Sequence, residues 1–321
     1  MSILKKRLTA LFLLCIMAVL ALSSATTVFA YDEVDPAKET SLTLNYAYDG
    51  KAIANAKFSI YKVASMDQHG ELTLTPAFSQ YPISITGLTN EEWIILTETL
   101  TGYVQRDKLT PTDTRSTDQN GQLKFPKTSV SMKPGLYLVI GENTTVDEYI
   151  YKAMPFLVLL PAMDPVHGLN YDVTAKPKCE RVKIDDPPLT RRVLKIWDDR
   201  GNENKRPPEI TVQLLRSGEV YDTVKLNSTN NWRYTWLNLD ERYTWTVVEK
   251  EEEGYTVKVT TEGITFTITN TYKGNKPPFT PPGKPLPQTG QLWWPVPILS
   301  ITGLIFVVIG MYLRKEKFYE E

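Results

Sequence analysis

Histidine and cysteine are almost missing from this chain, with two of each in 321 residues. His69 and His167 stand far apart, so neither a histidine-based metal cluster nor a Cys/His dyad is expected, and no cofactor is called for. No glycine-rich loop of the phosphate-cradling type occurs. The formal net charge of -1 withholds the basic face that a nucleic-acid partner requires. The oxygen-rich stretch "DDRGNEN" (198–204) lacks the spacing of a calcium loop and reads as a polar hairpin. Helical periodicity is scarce, and long apolar runs are confined to the two ends. These absences exclude most enzyme classes and leave a structural or binding protein.

Both ends carry targeting patterns. At the start, Lys5, Lys6 and Arg7 precede an apolar run from Leu11 to Leu22, and Val28-Phe29-Ala30 is a small-x-small cleavage site. Residues 1–30 therefore read as a secretory signal cut between Ala30 and Tyr31. Its removal takes Cys15 and leaves Cys179, expected as a free thiol in a linker, so no intrachain disulfide can staple the exported chain. At the other end, residues 291–313 are apolar and just long enough to span a bilayer as a helix of ~20 residues. Trp293 and Trp294 mark its outer edge, and the basic tail 314–321, with Arg314, Lys315 and Lys317, is expected inside.

Between the ends the fold class is all-β. Short β-rich runs are separated by Gly, Asn, Asp and Pro, as in antiparallel sandwiches of the Ig-like kind. A first domain, 31–182, contains the runs 41–48, 56–64, 135–141, 151–161 and 171–176. It also holds one inserted amphipathic helix, "TNEEWIILTETLTGYVQRDK". There Thr89 or Asn90 caps the start and Trp93, Leu96, Leu100 and Val104 share a stripe that packs on the sandwich. A proline-bearing linker, 183–190, leads to a second domain, 191–272, with seven strand-like runs. Residues 273–285, "KGNKPPFTPPGKP", follow as an extended Pro-rich spacer.

Leu286-Pro287-Gln288-Thr289-Gly290, followed by an apolar span and a basic end, resembles the LPXTG sorting signal of Gram-positive surface proteins. The resemblance implies that a sortase cuts between Thr289 and Gly290, holds the Thr289 carbonyl as a thioester and passes it to an amine. Pro287 would kink the extended peptide into the enzyme's groove, and Gly290 leaves room at the scissile bond. The chain is then a substrate, with the nucleophile on the sortase. The expected final location is the Gram-positive cell wall, reached through a membrane-bound precursor.

The second domain resembles the Cna B-type domain of bacterial surface adhesins and pilins. The likeness lies in "VLKIWDD", "KRPPEITVQLL", "NNWRYTWLNL", "YTWTVVE" and "ITNTY". That family often joins a first-strand lysine to a last-strand asparagine by an isopeptide bond promoted by a buried acid. The matching positions are Lys195, Asn270 and Glu249. Burial favours the neutral amine that must attack and the protonated carboxyl that can donate to the carboxamide and shuttle protons. From residue types alone, the better reading is Lys195 as an exposed strand lysine, Glu249 as its salt-bridge partner and Asn270 as a turn residue. No activity on other molecules is implied.

The first domain resembles the amino-terminal domain of sortase-assembled pilins in "GKAIANAKFSIYKVA", "KPGLYLVIG", "PFLVLLP" and "NYDVTAKPK". No isopeptide pair is evident in it. The pilin motif Trp-x3-Val-x-Val-Tyr-Pro-Lys keeps only Val173, Pro177 and Lys178 in "LNYDVTAKPK", which makes Lys178 a candidate acceptor of another subunit's threonine. Because Trp, the second Val and Tyr are replaced, the expectation is a minor or basal pilus subunit. The alternative is a monomeric wall-anchored adhesin for a host or surface ligand. The partners implied are a sortase, a peptidoglycan cross-bridge amine and other pilin subunits.

Overall fold

Stretches that alternate in polarity form strands whose alternate side chains are buried, as a period of two demands. Thr265–Tyr272 buries Phe266, Ile268 and Asn270 and leaves the residues between them partly exposed. The computed structural model describes residues 33–164, 167–199, 201–250 and 253–274, all within one compact unit. The signal segment, nearly all of the spacer, the sorting pentapeptide and the apolar tail lie outside the described residues. Among the described residues no helix is long and apolar enough to cross a membrane.

The amino-terminal part is assembled from several short sheets. Ser41–Asn45 lies between a parallel partner, Asp172–Ala175, and an antiparallel one, Gln122–Phe125. Lys57–Met66 pairs with Gly135–Gly141, Leu72–Leu74 and Asp113–Ser116, and Phe156–Leu160 continues the sheet beyond Gly135–Gly141. The run expected over 151–161 is two strands, Tyr149–Ala153 and Phe156–Leu160. Pro155 stands at the break, where its missing N–H cannot serve a ladder. Cys179 is not in a linker: it opens the strand Cys179–Lys183, half-buried, with its sulfur 3.1 Å from the Tyr46 hydroxyl. Burial pushes its thiol pKa up.

The carboxy-terminal part is a seven-stranded sandwich. One sheet runs Arg233–Leu239, Leu189–Asp198, Thr265–Tyr272, Tyr255–Glu262, and the other Glu219–Asn227, Glu209–Arg216, Trp245–Glu249. First strand and last are parallel neighbours, with Lys195 opposite Ile268 and Trp197 opposite Asn270.

Helix α1 (Asn90–Arg106) starts at Thr89, whose hydroxyl accepts from the Glu92 N–H while the Glu92 carboxylate accepts from the Thr89 N–H, a complete capping box. Its apolar stripe, Leu96, Leu100 and Val104, packs on the first sandwich as the spacing predicts. A second face of α1 is buried as well. It carries Thr99 and Gly102 and meets, at Val259 and Val247, the second sandwich, whose Leu215 and Val248 join the same apolar cluster. Burying each of these two side chains contributes roughly 1.5–3 kcal/mol.

Candidate functional site

Three strands of the second sandwich each end an inward apolar stripe on a polar side chain. The stripes are Val193 then Lys195, Trp245 and Val247 then Glu249, and Phe266 and Ile268 then Asn270. Such polar side chains at core positions are costly unless they satisfy one another. The two-residue offset in the parallel register puts Lys195 and Asn270 on the same inner face, as diagonal neighbours. Glu249 enters from the facing sheet.

The Lys195 and Glu249 side chains have no solvent exposure, and Asn270 is equally buried. The Lys195 amine lies 3.5 Å from Glu249 Oε2, and Asn270 Nδ2 donates to Glu249 Oε1 at 2.6 Å. The amine also lies 3.2 Å from the Ile196 carbonyl and 3.5 Å from that of Ile268. Asn270 Oδ1 accepts no hydrogen bond among the described residues. The sequence-predicted trio is thus brought together, with the acid against the amide nitrogen rather than its carbonyl oxygen.

An aromatic wall closes the site. The Lys195 amine sits 4.2 Å from the Trp197 ring centroid, and Trp197 meets Trp232 and Tyr255 edge-on at 5.2 Å each. Tyr255 donates to Asp199 at 3.2 Å, and Arg206 Nε donates to the same carboxylate at 2.6 Å. Desolvation, with the Asp199 charge beside it, pushes the Tyr255 phenol up to about 12. Tyr255 and Asp199 did not stand out in the sequence. The signal available was the alternation Tyr255, Val257, Val259, which places Tyr255 inward at the same end as the trio.

Lys178 lies elsewhere. It is exposed, between the strands Asp172–Ala175 and Cys179–Lys183, and its carbonyl accepts from the Met154 N–H. It lines a groove of about 1020 Å³ together with Ile94, Met154, Phe156, Arg242 and Thr261. Among the described residues no group of His, Cys, Asp and Glu could hold a metal ion.

Two family models match the chain. Residues 36–178 match the Gram-positive pilin subunit D1, N-terminal domain, and residues 191–271 match the Cna protein B-type domain. The collagen adhesin of Staphylococcus aureus is 48% identical over 52 residues, 16% of this chain and 4% of that protein. The chain therefore spans a small fraction of that relative's length. A single B repeat unit of the Staphylococcus aureus collagen-binding surface protein aligns at 20% identity, covering 74% of this chain and all of that one, with a TM-score of 0.26. The Corynebacterium diphtheriae major pilin SpaA aligns at 18% identity over 68% of this chain and 61% of that one, with a TM-score of 0.30. The two domain matches support a pilin-like Gram-positive surface protein.

Proposed function

We propose that this chain is a sortase-processed, wall-anchored pilin-like subunit whose second sandwich ties its own first and last strands together. The observation that carries the reading is the sealed trio Lys195, Glu249 and Asn270. A buried Lys–Glu ion pair meets a desolvation cost that its attraction need not offset, so one shared proton leaves a neutral amine and a protonated carboxyl. The amine Nζ attacks Cγ of Asn270, forming the Nζ–Cγ bond, and the Cγ–Nδ2 bond breaks. Glu249 gives its proton to Nδ2 from Oε1 and takes one from Nζ on Oε2, so ammonia leaves and the carboxyl ends as it began. Both products are neutral, which removes the penalty of holding a charge in the core.

The tie closes a loop from residue 195 to 270. By the chain-entropy relation used for disulfides, a cross-link of that span stabilises by about 4.5 kcal/mol. It supplies covalent strength in an exported chain that has no disulfide partner for Cys179. Thr289 then becomes the acyl end passed to peptidoglycan, or to a lysine of another subunit, with Lys178 the candidate acceptor in this chain.

Protein released from cell walls by a muralytic enzyme tests both halves. The expected material ends at Thr289 joined to a wall fragment and yields one proteolytic fragment containing both Lys195 and Asn270. A ladder of high-mass species that collapses in Lys178→Ala favours the pilus subunit, and a single anchored species favours an adhesin. Released chains that retain Gly290 and yield Lys195 and Asn270 on separate peptides contradict the reading.

A further inference from the structure

The strand that carries Glu249 is an edge strand. Trp245–Glu249 pairs with Glu209–Arg216 on one side only. The Lys250 N–H bonds the Thr211 carbonyl on that side, so by the alternation of an antiparallel ladder Val247 and Glu249 turn their backbone groups to the open side. Helix α1 of the first domain covers that side. Gly102 brings the helix so near that a Cβ there would lie 3.1 Å from the Val247 carbonyl oxygen. One turn on, Arg106 Nη1 donates to the Glu249 carbonyl at 3.2 Å. Four helical residues rise ~6 Å and two strand residues ~6.7 Å, so successive outward carbonyls fall against successive turns of the helix.

Arg106 is itself held. Its Nε and Nη2 donate to the two Asp107 oxygens at 2.7 and 2.8 Å, and Tyr81 donates to Asp107 at 2.6 Å. Tyr81 stacks on Tyr103 at 4.4 Å, and the guanidinium lies 5.2 Å from the Tyr103 ring centroid. The fork is therefore set by the first domain, and its remaining face is aimed at the backbone of the residue whose carboxyl sits between Lys195 and Asn270.

We infer that Arg106 is a positioning residue for isopeptide formation, so that the tie in the second domain closes at full rate only when helix α1 of the first domain is docked on the Glu249 strand. The inference rests on the proposed Lys195–Asn270 bond. Without the guanidinium the edge strand is freer to shift along or away from the sandwich, and a displacement of a fraction of an ångström separates Oε1 from Nδ2.

The test uses the full-length chain, pulse-labelled during synthesis and sampled with time, with the fragment joining Lys195 to Asn270 quantified by mass spectrometry. Arg106→Ala is expected to slow linkage by about tenfold or more, the effect of one charge-assisted hydrogen bond. Arg106→Lys should recover part of the rate. Lys108→Ala, which removes only the exposed 3.0 Å contact to Glu219 across the same boundary, should link like the unaltered chain. Near-UV circular dichroism at the assay temperature reports the fold of each variant. Unchanged linkage in folded Arg106→Ala overturns the inference and leaves the bond standing. Equal loss in the Ala and Lys variants, accompanied by a lost near-UV signal, overturns it too. An unlinked wild-type chain overturns the underlying bond and this inference with it.

Discussion

Glu249 presents one carboxylate oxygen to the Lys195 amine and the other to the Asn270 amide nitrogen. That division suits a proton carried from the attacking nitrogen to the leaving one. Glu249→Gln keeps the size and much of the hydrogen bonding but cannot accept and deliver a proton. Linkage in that variant is expected to slow by roughly 100-fold or more, the usual worth of general acid–base catalysis. The rate is read from the accumulation of the joined fragment in purified, folded protein, and a rate near that of the unaltered chain would show that the acid is not the shuttle. The trio was legible in the sequence through resemblance and not through residue type. A lysine and a glutamate on strands are ordinarily a solvated pair. What betrays them is position, since Lys195 follows Val193 and Asn270 follows Ile268 on faces where alternation calls for apolar groups.

Helix α1 shows how one element serves two cores. Its 3.6-residue stripe was readable, and Leu96, Leu100 and Val104 lie where the period puts them. Its other face was not, because Thr99 and Gly102 carry no apolar signal. Yet Thr99 Oγ1 accepts the Val259 N–H at 2.9 Å, and the Pro82 carbonyl accepts that of Val257 at 3.1 Å. The helix and the loop before it thus satisfy the open edge of Tyr255–Glu262, just as Gly102 and Arg106 cover the edge of Trp245–Glu249. An exposed edge would be a pairing hazard, and a helix laid over it removes the hazard. Around these bonds, Lys258 donates to Glu92 at 2.6 Å, and Thr261 donates to Glu98 at 2.8 Å. The Lys258 ammonium holds the Glu92 carboxyl below its usual range, while burial pushes that of Glu98 up. Thr99→Val keeps the shape of the side chain and strands a buried N–H, so it is expected to cost about 1–3 kcal/mol and to speed hydrogen exchange at the Val259 amide. Thr101→Val should cost about 1 kcal/mol or less, because the Thr101 hydroxyl only returns to the Thr97 carbonyl of its own helix. Equal losses in the two variants, by thermal unfolding, would remove the special standing of Thr99.

For the whole molecule, the tally of strands in the second sandwich was legible because each run is long, alternating and bounded by turn residues. The short strands of the first part, such as Leu72–Leu74, Asp113–Ser116 and Gln122–Phe125, were not, since they are too brief to show a period, and the last two are fixed by partners distant in sequence. The docking of the two parts was equally hidden, because beside the buried Leu215 and Val248 it rests on polar contacts such as those of Thr99, Arg106 and Lys258, which carry no periodic signal. The picture that results is a folded body in which a helix covers the edges of Trp245–Glu249 and Tyr255–Glu262, and in which the proposed tie would stand in for a disulfide. The tie is the central claim, and the intact mass of the folded, full-length chain measures it in one step. A mass one ammonia lighter than the sequence requires is expected, restored to the full sequence mass in Asn270→Ala once the substitution itself is subtracted. A folded wild-type chain at the full sequence mass would mean that Lys195 and Asn270 remain separate side chains.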